Sequence, residues 1–227
     1  DFLYGQGGDD ALYGGDGNDT LVGDDLQNTE LRGNDYLDGG AGDDLIGGDG
    51  GDDTIYGGDG NDRLHGDDNV LDSQYHGNDY IDGGAGDDII SGDGGADTLF
   101  GGDGDDLLEG DSDFVDVAYH GDDYLDGGGG NDELHGDGGN DTLIGEDGGD
   151  RLFGGADDDE LEGGAGNDFL AGEEGDDVYV FNAGDGNDTI EETSGNDTIR
   201  FGDGVSAAGI ITFVPAETEL ASSIFGT

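Results

Sequence analysis

Along most of this chain a large apolar residue returns at every ninth position, and the positions between are chiefly glycine, aspartate and asparagine. The apolar series runs Leu12, Leu21, Leu37, Ile46, Ile55, Leu64, Ile81, Ile90, Leu99, Leu108, Leu125, Leu134, Leu143, Leu152, Leu161, Leu170 and Tyr179. Around it stands the unit G-x-x-G-x-D-x-U-x, with U the apolar residue, repeated 17 times from Gly5 to Val180. The first position is Gly and the sixth is Asp in all 17; the fourth is Gly in 16, with Asp157 the exception. Neither a helical period nor a long alternating strand fits this spacing. The last three residues of a unit, such as Thr20-Leu21-Val22, turn outward, inward and outward as a short strand does. The six before them form a turn, in which glycine at positions one and four permits positive φ and close approach of other backbone. A strand and a turn make half a coil. Two units therefore make one coil, with a sheet on either side and the apolar residues stacked between the sheets.

Charge changes this picture. The chain holds 61 acidic residues against 4 Arg and no Lys, a net charge of −57, and such a composition stays unfolded unless a cation neutralises it. Stacked coils would set their aspartates in rows, and two carboxylates 4 Å apart repel by about 4 kcal/mol at an effective dielectric of 20. A divalent ion between each pair reverses the sign. Calcium accepts six to eight oxygens in adaptable geometry, magnesium demands strict octahedra, and zinc wants His or Cys. The absence of Cys excludes disulfides and thiolate sites. The acidity excludes nucleic acid and an anionic membrane surface as partners, and no apolar run approaches the length of a membrane span.

The repeat resembles the RTX, or hemolysin-type, calcium-binding nonapeptide family, and the likeness covers about four fifths of the chain. It implies an all-β fold, a right-handed parallel β-roll (a β-solenoid) with calcium ions between stacked turns. It implies that backbone carbonyls and the position-six aspartates of successive coils hold each ion. The ligand aspartates are then Asp10, Asp19, Asp35, Asp44, Asp53, Asp62, Asp79, Asp88, Asp97, Asp106, Asp123, Asp132, Asp141, Asp150, Asp159, Asp168 and Asp177. Asp16, Asp59 and Asp103 at position three, and Asp188 and Asp197 further on, join them as candidates. Pairing each loop with the one two units on predicts about 10 to 17 calcium ions. The likeness also implies one-step bacterial export and an extracellular or cell-surface location.

Three units are expanded by seven or eight residues: Gly23–Asp38, Gly66–Asp82 and Gly110–Asp126. They recur every fourth unit, so with two units per coil all three inserts leave the same edge. Tyr36, Tyr80 and Tyr124 follow them and should form a row on one sheet, about 9.6 Å apart. The same edge carries aspartate at position two (Asp24, Asp49, Asp67, Asp93, Asp111 and Asp137), read as extra solvation or weak outer ion sites. His76 and His120 hold matched places in two inserts where the first has Arg32, which favours loop packing over a histidine metal site. The expected divisions are a β-roll over 1–180, decayed repeats and a cap over 181–214, and a disordered or truncated tail over 215–227. Asp1-Phe2-Leu3-Tyr4 reads as the end of an earlier unit, as expected in a piece of a longer array.

No catalytic residue emerges, and the chain is read as no enzyme. Gly-x-Gly-x-x-Gly matches lack the strand–helix context of a dinucleotide site. The many carboxylates lack the cleft that acid–base work requires. The expected function is a calcium-binding structural module of a large secreted or cell-surface bacterial protein, which folds on export into external calcium. The alternatives are the non-catalytic C-terminal module of a secreted RTX enzyme or toxin, and a self-assembling surface-layer or filament protein. A protein, glycan or self-association partner would bind the insert-bearing edge, where loops vary without disturbing the core.

Overall fold

The computed structural model describes residues 1–24, 32–67, 76–112, 115, 117–202 and 205, with the backbone of 212–215. Most of the three insert loops and residues 216–227 lie outside the described residues, so the expectation of a disordered tail and of contacts between whole inserts falls there.

The chain forms two parallel sheets, of 11 and 12 strands among the described residues, visited in turn. Each strand pairs with the one a full coil away, so odd units build one sheet and even units the other. This is the parallel β-roll with two nonapeptides per coil that the periodicity predicts. The register joins apolar residue to apolar residue: Leu37 to Ile55, Ile55 to Ile81, and Leu21 to Ile46. All 17 apolar positions are buried in one continuous core, which extends to Phe181 and Ile190. The four-carbon side chain of Leu or Ile suffices at 16 of these positions because the sheets face each other across a single layer.

The register survives beyond the last regular unit. Thr189–Glu192 pairs with Phe169–Glu174, Thr198–Phe201 with Val178–Phe181, and Thr212–Pro215 with Thr189–Glu192. Ile190 and Ile199 occupy the apolar position, so two further half-coils are built on degraded repeats.

Each insert leaves the roll where the chain crosses from the 11-stranded to the 12-stranded sheet, so all three share an edge. Tyr36, Tyr80 and Tyr124 stand in one column of the 12-stranded sheet, separated by Thr54 and Thr98. They are not an isolated row. Tyr56 and Phe100 from position nine stand between them and Tyr13 before them, and the six rings touch in series with centroids 5.6–5.8 Å apart. Such tilted pairs stabilise the outer sheet face beyond their buried area.

The glycines divide their work differently from the expectation. Positive φ occurs at position four (Gly17, Gly42, Gly60) and at position two, but not at position one. Position one is glycine for space alone. A Cβ on Gly101 would stand 2.5 Å from Asp106 Oδ2 and 2.5 Å from the carbonyl of Gly127 on the next coil.

Candidate metal centres

The position-six aspartates end each turn just before a strand, and stacking the coils aligns them in two rows, one along each edge. On the insert edge the row runs Asp10, Asp35, Asp53, Asp79, Asp97, Asp123, Asp141, Asp159, Asp177 and Asp197. Each backbone N–H donates to Oδ1 of the next member at 2.7–3.2 Å. On the opposite edge Asp19, Asp44, Asp62, Asp88, Asp106, Asp132, Asp150, Asp168 and Asp188 do the same at 2.7–3.1 Å. From Asp35 and Asp44 onward, one oxygen of each carboxylate is thereby fixed by the neighbouring coil.

The other oxygen is not satisfied. In all 17 regular units Oδ2 of the position-six aspartate is buried without a hydrogen-bond partner. It lies beside the position-one glycine of its own unit and, in most coils, the position-one carbonyl of the next coil on that edge. Buried polar atoms in native folds are nearly always paired, so a repeated orphan of this kind marks a place for a ligand. Burial also pushes these carboxyls up from 3.8: Asp35, Asp62 and Asp106 to about 6, Asp88, Asp141 and Asp150 to about 7, Asp53 and Asp159 to about 8, Asp123 to about 9. Neighbouring aspartates of the row add to the rise. Oxygen-only donors, paired carboxylates and nearby carbonyls fit a hard divalent ion of adaptable coordination. They do not fit zinc, which takes nitrogen or sulfur.

The other predicted ligands are placed differently. Asp188 and Asp197 continue the rows. Asp16, Asp59 and Asp103 at position three are exposed, and the register sets Ala41 and Ala85 between them, so the fold does not bring them together.

The position-two row on the insert edge is solvated only in part, with Asp137 exposed and Asp49 half-buried. Asp24, Asp67, Asp93 and Asp111 are buried. In the expanded units Asp24 and Asp67 accept the N–H of Gly33 and Gly77 at 3.0 and 2.9 Å, pinning the neck of the insert. Three of the four histidines and one of the four arginines face this row. His76 Nδ1 lies 4.0 Å from Asp67, His120 Nδ1 3.6 Å from Asp111, and His65 Nδ1 3.5 Å from Asp93. The Arg32 guanidinium donates to the carbonyl of Asp49. His76 and His120 thus each stand beside the aspartate of their own unit.

Sequence reasoning missed position five, which is Asn or Asp in 15 of 17 units. Its side-chain oxygens accept N–H groups from the following coil, as Asn34 does from Asp52 and Asp52 from Asn78. This exposed ladder runs opposite in sense to the buried one. The near-invariance of Asx was the available signal.

The sequence model of the RTX calcium-binding nonapeptide repeat family matches residues 1–29, 31–55, 48–69, 77–113, 120–143, 144–179 and 180–205. The chain belongs to this family of calcium-binding repeats. Its fold is similar to the crystal structure of a hyperactive, Ca2+-dependent, β-helical antifreeze protein from an Antarctic bacterium. That likeness has a TM-score of 0.56 and 21% identity, over 93% of this chain and 69% of that one, and it concerns the fold. A comparison with curated proteins finds no match.

Proposed function

We propose that this chain is a calcium-loaded structural module of a large bacterial surface or secreted protein, without catalytic activity of its own. One observation carries the reading: every position-six aspartate has one oxygen buried without a partner, and from Asp35 and Asp44 onward the other is tied by the adjacent coil. An ion between successive members of each row would satisfy the orphans and turn carboxylate repulsion into attraction. The two rows contain nine and eight such steps, which supports about 10 to 17 ions. Asp10 through Asp177 at position six, with Asp188 and Asp197, would supply the carboxylates, and position-one carbonyls the neutral oxygens.

Binding and folding would then be one process. A chain with a net charge of −57 cannot close its aspartate rows at the low calcium of a cytoplasm, and closes them in an external medium. That behaviour suits export of an unfolded chain followed by folding outside the cell. No helix among the described residues is long and apolar enough to cross a membrane. Circular dichroism tests the reading. The chain is expected to be unstructured in excess chelator and β-rich in millimolar calcium, with magnesium a poor substitute. A β signal that survives chelator refutes it.

A further inference from the structure

The regular code breaks at the end of the insert edge, and the break is paired. The last regular unit carries Tyr179 where every earlier one has Leu or Ile, and the half-coil stacked on that edge begins with Glu192 where every regular unit has Gly. The two replacements meet. Gly172 N–H donates to the Tyr179 hydroxyl at 2.6 Å, and that hydroxyl donates to Glu192 Oε1. Tyr179 and Glu192 are both buried, 1% and 8% exposed.

This relay fixes Glu192 and leaves its other oxygen, Oε2, buried without a partner. Asp177 is wholly buried, its Oδ1 accepts the Asp159 N–H at 2.9 Å, and its Oδ2 is likewise orphaned. Asp197 Oδ1 accepts the Asp177 N–H at 3.2 Å. The three carboxylates each present an oxygen within 4.8 Å of the others. The nearest chain cation in sequence, Arg200, is engaged by Glu160 on the outer face. Three carboxylates so close, two with an unpaired buried oxygen, are stable together only when a cation joins them or a proton neutralises one.

We infer that Asp177, Glu192 and Asp197 form a divalent-cation site at the C-terminal end of the insert-edge row, with Glu192 as a third carboxylate beside the row's usual two. The inference rests on the calcium reading above. Oxygen donors alone select calcium over zinc. Affinity in such sites rises with the number of ligand charges, so this ion binds at lower free calcium than those of the regular loops. It also ties the strand Thr189–Glu192 and the turn before Thr198 to the last regular coil. Tyr179 is a positioning residue, because its hydroxyl orients Glu192 and leaves Oε2 free.

Native mass spectrometry of the full chain at graded free calcium tests this, comparing wild type, Glu192→Gln and Asp106→Asn. Glutamine keeps the size and the hydrogen bond from Tyr179 and removes the charge. At the low calcium where the first ion appears, Glu192→Gln should need at least about tenfold more calcium for that ion, and Asp106→Asn should not. At saturation Asp106→Asn should weaken or lose one ordinary ion. A Glu192→Gln series that superposes on wild type, while Asp106→Asn shows its loss, overturns the site and makes Glu192 a neutral hydrogen-bonded carboxyl. A wild-type chain that takes up no calcium sinks the underlying reading instead. Terbium covers the case in which Glu192→Gln does not fold. Emission excited through tyrosine at the first equivalent of terbium should fall several-fold in Tyr179→Phe, and unchanged emission overturns the site.

Discussion

Single residues in this roll are constrained by backbone shape as much as by charge. Asp157 is the one position-four residue that is not glycine, and its φ is 80°, in the left-handed region that side chains other than glycine adopt at a penalty of about 1–2 kcal/mol. It is exposed, and its charge only adds to the repulsion felt by Asp141 and Asp159 in the buried row. Asp157→Gly should therefore raise the stability of the calcium-loaded chain by about 0.5–1 kcal/mol, since glycine's greater freedom when unfolded offsets part of the gain. A thermal melt in saturating calcium measures it, and an unchanged or lower midpoint would show that the strain is already relieved. Asp49, Asp93 and Asp137 hold the same region of φ at position two. There the aspartate has a second role on the insert edge, and replacement by glycine would confound the two effects.

At the scale of the turn, the position-one glycine separates space from flexibility. Gly101 has no positive φ, so alanine is allowed by the backbone, but its Cβ would intrude on Asp106 Oδ2 and the Gly127 carbonyl. Gly129, also without positive φ, has only Asp103 Oδ1 at 3.9 Å from such a Cβ. Gly101→Ala should bind about one calcium ion fewer and melt lower, whereas Gly129→Ala should match wild type. Ion counting by native mass spectrometry distinguishes them, and equal counts would mean that the cradle beside Asp106 holds nothing. The turns also show where sequence reading succeeds and stops. Leu99 and Asp106 were legible because each obeys a rule internal to one nonapeptide: a single inward side chain, a single invariant carboxylate. Contacts between coils were not, because partners lie 18, 20, 25 or 26 residues apart according to the insert between them. Hence the Asx ladder at position five emerged only once the stacking was known, and the burial of Asp67 and the approach of His120 to Asp111 only once the necks of the expanded units were placed. Glu192 was hidden for another reason. It replaces the glycine that marks a unit, so it reads as decay of the code where it is a change of function.

For the whole molecule, the buried aspartate rows make metal-free folding a matter of pH. Burial raises Asp35 to about 6, Asp97 to about 7, Asp53 to about 8 and Asp123 to about 9, all from 3.8, and neighbouring carboxylates push the same way. The folded chain thus holds protons more tightly than the unfolded one. Such groups favour folding in full below pH 3.8 and withdraw that support as pH rises through 6 to 9. The net charge of −57 at pH 7 acts in the same sense, since protonation removes the repulsion that opens the coils. In chelator, then, β structure should appear as pH is lowered toward about 3.5 and be absent at pH 8. Calcium reverses the slope. An ion needs the ionised carboxylates, so the calcium concentration that half-loads the sites should rise steeply as pH falls below about 6, while protons take over its role in folding. Circular dichroism across pH, with and without chelator, reads both limbs. A chelated chain that is equally unfolded at pH 3.5 and pH 8 would show that neutralising the two rows is not enough to close the roll, and that calcium contributes through its bonds to the loop carbonyls rather than through its charge.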